Sequence, residues 1–324
     1  MRTIGIRDAL REALHEEMAR DDSVFVMGED VIAHGGPYTV TQGIAERFPG
    51  RIFETPIAEA GIVGLGVGAA LAGMRPVVEI MYLDFVTCAM DEVVNQAAKM
   101  RYMTGGQASV PIVIRLPCGP ARLLAAQHSQ ILESWFMHVP GLQVVVPSTP
   151  YDAKGLMKTA IRSPDPVVFF EYKSLYMTEG EVPEEEYTIP FGVADVKREG
   201  EDATVVAIGA MVPRALEAGI ALEDEGYDIE VIDPRTLSPL DVDAICTSVR
   251  KTGRVVICEM DSSFAGAGAE IAATVAERCF HDLRAPVVRV GGAHVPMPFA
   301  PELVEMVVPG VEKVSAGVRK AMAA

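Results

Sequence analysis

Short, unbroken apolar runs alternate with longer stretches of helical period along almost all of the 324 residues. Val24-Phe25-Val26-Met27, Pro76-Val77-Val78-Glu79-Ile80, Pro111-Ile112-Val113-Ile114, Leu142-Gln143-Val144-Val145-Val146 and Val167-Val168-Phe169-Phe170 are the clearest runs of the first half. Strands that are apolar on both faces belong to a parallel sheet covered by helices, so the pattern predicts an α/β fold. Helices are expected at 6–20, 41–48, 60–74, 84–103, 129–138 and 151–162. Residues 176–190 break the rhythm: they are acidic, hold Pro183 and the run Glu184-Glu185-Glu186, and follow neither period. We read them as an inter-domain linker between domains at 1–175 and 191–324. A second series follows, with strands at 204–208, 229–232, 255–258 and 287–290, so both domains are expected to be Rossmann-like.

Charge excludes some functions. Acidic side chains outnumber basic ones 45 to 28, leaving a formal net charge of −17, and no Lys/Arg stripe offers a surface for nucleic acid. The longest uncharged stretch near the middle of the first half, 60–74, is too short and small-sided for a membrane span. The N-terminus has no signal-peptide pattern, so a cytoplasmic setting is expected. Five cysteines without a C-x-x-C pair read as reduced core residues.

Four positions could carry chemistry. Glu59 is the only ionisable group between Glu54 and Arg75, at the start of a helix expected to be apolar all round. It is either a carboxylate favoured by the helix dipole or a carboxyl in an apolar site able to exchange a proton with a bound heterocycle. His128, in Ala125-Ala126-Gln127-His128-Ser129-Gln130, follows a strand and a Pro/Gly loop, at the end of the sheet where open α/β folds place ligands. Its alternative is to be merely adjacent to Ser129 as a helix N-cap. Phe85 follows the strand at 76–80 and could face a cofactor ring or belong to the core. Gly64-Leu65-Gly66-Val67-Gly68-Ala69 fits G-x-G-x-x-A, but no strand precedes it and its glycines at 61, 64 and 68 could instead make a flat face for close helix packing. No Gly-Asp-Gly with a downstream Asn and no P-loop is present, so another chain is expected to hold any cofactor diphosphate.

Taken together, GED at 28–30, TPIAEAGIVG at 55–64, NQAAKMRYMTGG at 95–106, AQHSQ at 126–130, HVPGLQVVVPSTPYDAKGL at 138–156, IDPRTLSPLD at 232–241 and VPMPF at 295–299 resemble one family. It is the beta subunit of the thiamine-diphosphate-dependent first component of 2-oxo acid (pyruvate or branched-chain) and acetoin dehydrogenase complexes. The resemblance implies a thiamine-diphosphate (pyrimidine)-binding fold followed by a transketolase C-terminal-like domain. It implies a heterotetramer of two alpha and two beta chains that share thiamine diphosphate, with Mg²⁺ held mainly by the alpha subunit. Glu59 matches the glutamate that bonds the aminopyrimidine ring, Phe85 the aromatic packed on that ring, and His128 the active-site histidine. Glu29 matches an acid of the network linking paired sites. A potassium ion would be held by carbonyls around Ile112, Ala160 and Asp165. The implied reaction cleaves a 2-oxo acid or acetoin and reductively acylates the lipoyl domain of a dihydrolipoyl acyltransferase, an oxidoreductase acting on an aldehyde or oxo group with a lipoyl disulfide as acceptor. The chain departs from the family at Gly119–Leu124, at Ser163 and at His294. The alternatives are the C-terminal half of a split transketolase and a nicotinamide-binding regulatory protein built on Gly64-x-Gly66.

Overall fold

A computed structural model describes residues 1–121 and 124–324. The chain divides into two compact units, one of Met1–Cys118 with Trp135–Phe191 and one of Gly119–Ser134 with Gly192–Ala324. In chain order the elements up to Cys118 are β1 (Arg2–Gly5), α1 (Ile6–Arg20), β2 (Val24–Gly28), α2 (Ile44–Arg47), β3 (Ile52–Glu54), α3 (Glu59–Leu71), β4 (Arg75–Glu79), α4 (Ala98–Met103) and β5 (Val113–Cys118). There follow α5 (Glu133–Met137), β6 (Gln143–Val145), α6 (Pro150–Arg162), β7 (Val167–Tyr172) and β8 (Glu179–Val182). The apolar runs make a parallel sheet in the order β6-β7-β5-β4-β2-β3. β2, β5 and β7 are buried along their whole length, as strands covered on both faces must be.

α6 starts on a Thr149 N-cap, whose hydroxyl accepts from Asp152 N at 3.1 Å, with Pro150 in its first turn. Its Lys154 and Lys158 ammonium groups are buried against α1. Lys154 lies 2.6 Å from Glu16 and Lys158 2.8 Å from it, while Arg162 lies 2.6 Å from Glu17.

Three sequence expectations are redrawn. The single helix at 84–103 is a 3-10 turn (Leu83–Ala89), a π-helical turn (Glu92–Ala97) and then α4. The pitch changes where the segment runs beside α3, with Glu92 against Gly64. The helix at 129–138 shortens to α5, preceded by a 3-10 turn at Ala126–His128. Residues 176–190 contain β8, which pairs antiparallel with β1. The same stretch lies on α6: Tyr187 stacks on Tyr151 at 4.6 Å, and buried Ile189 fills the space left by Gly155, where a Cβ would meet it at 2.6 Å.

The second unit contains β9 (Asp195–Arg198), β10 (Ala203–Ala207), α7 (Met211–Glu223), β11 (Ile229–Asp233), β12 (Thr236–Ser238), α8 (Val242–Thr252), β13 (Val255–Ser262), α9 (Ala267–Arg278), β14 (Val288–Gly292), α10 (Pro301–Val307) and α11 (Val311–Met322). Its sheet runs β14-β13-β10-β11-β9, parallel except for the antiparallel edge strand β9. Four cysteines are buried and in no disulfide, but Cys88 is exposed, so the core reading fails for that one: its 3-10 turn points it outward. No helix among the described residues is long and apolar enough to cross a membrane.

Candidate active site

The carboxyl ends of β2, β3, β4, β5 and β7 lie along one edge of the first sheet, because all five strands run parallel. That edge is where an open α/β sheet leaves a crevice for ligands. Glu29 is the first residue beyond β2, and Thr55 N donates to Gly28 O at 2.9 Å, which ties the end of β3 to the end of β2. The chain then turns through 55–58 and enters α3 at Glu59. Both carboxyls are partly exposed. Burial, then the charges of Asp30 and Glu59, push the Glu29 carboxyl above its ordinary range. The two acids are therefore close enough to feel one another.

α3 is not buried all round. It buries Ile62, Val63, Gly66, Val67 and Ala70, and leaves Leu65 63% exposed with Leu71 and Gly68 on the open side. The close-packing glycine is Gly66, where a Cβ would meet Ile112 Cδ1 at 2.7 Å and Val78 Cγ1 at 2.9 Å. Gly68 has nothing within 4 Å. The G-x-G-x-x-A pattern lies wholly inside α3, so it forms no strand-to-helix phosphate turn, and the nicotinamide reading loses its structural basis.

Phe85 is half-buried in the turn after β4, and its N–H donates to Tyr82 O at 3.0 Å. The Tyr82 ring meets Phe85 edge-on at 6.5 Å and Tyr38 edge-on at 6.5 Å; Tyr38 stacks on Tyr176 at 4.8 Å. Lys173, directly after β7, sets its ammonium 5.2 Å from the Tyr82 ring centre. Burial pulls that ammonium down to about 8, against the pull of Cys118 and Asp84. Burial likewise pushes the Tyr38 hydroxyl up, helped by Tyr82.

Below the edge, Arg115 on β5 is fully buried between carboxylates of two neighbouring strands. Its Nε and Nη2 donate to Glu171 at 2.6 and 2.8 Å and its Nη1 to Glu79, while Tyr176 Oη donates to Glu171 Oε2 at 2.7 Å. Burial opposes the guanidinium charge, yet Glu171 and Glu79 hold it fully protonated. Sequence reasoning missed this cluster although each member stood in view, a lone charge inside an apolar strand run. It also missed Tyr38 and Lys173, which no spacing connects.

Of the residues singled out from sequence, Glu29, Glu59 and Phe85 share this one edge. His128 is carried by the segment Gly119–Ser134 of the second unit. It is partly exposed in its 3-10 turn, directly after Gln127 and close behind Ala125, whose φ is 56°. Ser129 caps no helix; its hydroxyl is buried without a hydrogen bond, and α5 begins only at Glu133. Part of the departing segment 119–124, namely Arg122 and Leu123, lies outside the described residues. At the expected potassium position, Ile112 O accepts from Val167 N at 2.9 Å, Ala160 O from Ser163 N at 3.2 Å and Asp165 O from Ser163 Oγ at 3.1 Å. Each carbonyl keeps a second lone pair beyond that hydrogen bond. Arg75 Nη1 donates to the neighbouring carbonyls of Ile161 and Ser163 at 2.8 and 3.0 Å. No group of three His, Cys, Asp or Glu side chains converges on a metal position among the described residues.

Residues 2–179 match the transketolase pyrimidine-binding domain and residues 192–314 the transketolase C-terminal domain. The chain is 50% identical to the pyruvate dehydrogenase E1 component subunit beta of Rickettsia felis, over 98% of both chains. It is 46% identical to the acetoin:2,6-dichlorophenolindophenol oxidoreductase subunit beta of Cupriavidus necator, over 99% of this chain and 98% of that one. It is 44% identical to the 2-oxoisovalerate dehydrogenase subunit beta of Bacillus subtilis, over 99% of each. Among solved structures, a split-gene transketolase described as an inactive beta4 tetramer superposes with a TM-score of 0.81 at 28% identity, covering 99% of this chain and 98% of that one.

Proposed function

The chain belongs to the transketolase-like family, in the branch of dehydrogenase beta subunits, and from that premise we propose that it is the beta chain of a thiamine-diphosphate-dependent 2-oxo acid or acetoin dehydrogenase. An alpha chain completes it as a heterotetramer and holds the Mg²⁺ and the cofactor diphosphate. The acceptor is the lipoyl group of a dihydrolipoyl acyltransferase, the setting is cytoplasmic, and a potassium ion sits on the carbonyls of Ile112, Ala160 and Asp165.

The observation that carries this reading is the placement of Glu59 at the start of α3, on the carboxyl edge of the sheet and electrically coupled to Glu29. When bound, thiamine diphosphate supplies the electron sink for cleaving a carbon–carbon bond next to a carbonyl. This chain's part is orientation and proton handling. Glu59 offers its carboxyl to a ring nitrogen of the pyrimidine and exchanges a proton with it. Phe85 offers a flat face to that pyrimidine, and its contact with Tyr82 fixes the angle of the face. His128 hands or takes a proton at the substrate. The open side of α3, with Leu65, Leu71 and an uncrowded Gly68, supports an apolar contact with another chain.

The test is to co-purify the alpha partner and follow reduction of an artificial acceptor with pyruvate, branched-chain 2-oxo acids and acetoin. Turnover with at least one, together with thiamine diphosphate binding that needs both chains, is expected. NADH binding by the isolated chain without any partner-dependent thiamine diphosphate binding would sink the proposal. The likeness to the split-gene transketolase favours a second reading, half of a transketolase. Ketol transfer from a ketose phosphate to an aldose phosphate by the same complex, with no acceptor reduction, would select it.

A further inference from the structure

The ring cluster at the carboxyl edge has a buried ammonium, that of Lys173, against one of its rings. Lys173 is only 7% exposed, yet it stands at the end of β7 rather than in the sheet interior, one residue beyond the Tyr172 that pairs with Cys118 of β5. Its ammonium lies 5.2 Å from the centre of the Tyr82 ring. Tyr82 is joined to Phe85 twice, by the Phe85 N–H···O=C Tyr82 hydrogen bond of 3.0 Å and by edge-to-face packing at 6.5 Å. A force on the Tyr82 ring is therefore transmitted to the ring of Phe85.

We infer that Lys173 is a positioning residue, whose ammonium against the Tyr82 ring fixes the attitude of Phe85 and so sets how tightly this edge takes a flat nitrogen heterocycle. The inference rests on the proposed reading in which Phe85 packs against the cofactor's pyrimidine. Only the charged amine is drawn to a ring face, since the attraction is between a cation and the ring quadrupole. Asp84 from the turn after β4 and Cys118 from the end of β5 face it beside the Tyr82 ring, and Tyr38 meets that ring edge-on. Burial dominates over Asp84 and Cys118 and brings the ammonium down to about 8, so its charge is lost as pH rises through that value. The platform loosens on the alkaline side. Arginine, protonated throughout, would keep it in place.

The test measures thiamine diphosphate affinity by calorimetry on the assembled alpha–beta complex from pH 6.5 to 9.5, with assembly followed by size exclusion. Wild type is expected to hold a constant Kd up to about pH 8 and then to weaken by as much as tenfold per pH unit. Lys173→Arg should remove that alkaline limb. Lys173→Met should bind roughly three- to thirty-fold more weakly at pH 7 and show no limb. Wild-type affinity in Lys173→Met, or an alkaline limb that persists in Lys173→Arg, would overturn the inference. Should Lys173→Met not assemble, the arginine variant alone decides. A wild-type complex that binds no thiamine diphosphate at any pH overturns the functional proposal instead, which keeps the two failures distinct.

Discussion

Single residues carry the chemistry, and two of them separate catalysis from architecture. Glu59→Gln keeps the size and the hydrogen-bonding capacity of the side chain but cannot exchange a carboxyl proton. Turnover of the assembled complex should fall about a hundredfold or more, with assembly unchanged, measured as acceptor reduction beside size exclusion. The same substitution removes one of the charges that raise Glu29, so the Glu29 titration should move toward lower pH in carboxyl-resolved NMR of the isolated chain. Arg115 is the opposite case. Arg115→Met strands Glu79 and Glu171 as buried carboxyls with no cation between them, and chemical denaturation should show a loss on the order of 3–5 kcal/mol. Glu59 was legible in the sequence because it is the lone ionisable residue in a long apolar stretch. Lys173 was not, since its meaning comes from a ring nearly a hundred positions away that only the parallel order β7-β5-β4 brings within reach.

At the level of elements, the strand runs translated almost directly into strands. Val24–Met27 became β2 and Val167–Phe170 the body of β7, because continuous Val, Ile and Phe have no other place than a doubly covered sheet. The glycines of α3 were harder. Period alone placed 61, 64 and 68 on one face but could not say which face met the sheet; that depended on Val78 of β4 and on Ile112 just ahead of β5, which crowd Gly66 instead. The difference is measurable. Gly66→Val must push into those side chains, and thermal or urea denaturation of the isolated chain should register a loss of about 1–3 kcal/mol. Gly68→Ala meets nothing and improves helix propensity, so the same experiment should show a gain of up to about 1 kcal/mol. The acidic stretch 176–190 escaped reading for a related reason: its buried aliphatic residues, Val182 and Ile189, are spaced to suit β1 and α6 rather than any period of their own.

For the molecule as a whole, the acid excess is organised rather than spread evenly. Burial raises Glu16, but the ammonium groups of Lys154 and Lys158 outweigh it and hold its carboxyl below the ordinary range. Glu225 is held down by Arg319 in the second unit. A carboxyl lowered by folding adds stability that is fully present above its unfolded value and is lost as pH falls through its folded one. These lowered carboxyls should bring the urea midpoint down below about pH 4.5. Burial pushes Glu259 and Asp261 up to about 7 and about 6, which favours the fold as pH falls from neutrality toward about 5, so the midpoint should peak on the mildly acidic side. Replacing Lys154 and Lys158 together by Met should shrink the part of that decline that belongs to the first unit. The path of the chain adds a further consequence. Because Gly119–Ser134 groups with Gly192–Ala324 while the residues on either side of it group with the first unit, no single breakpoint parts the two bodies. A chimera that borrows the second half of a relative from residue 192 onward would pair a foreign body with the host's own His128 segment. Recombination between such genes is thus constrained to exchange two stretches at once, and the histidine travels with the half of the sequence to which it does not belong.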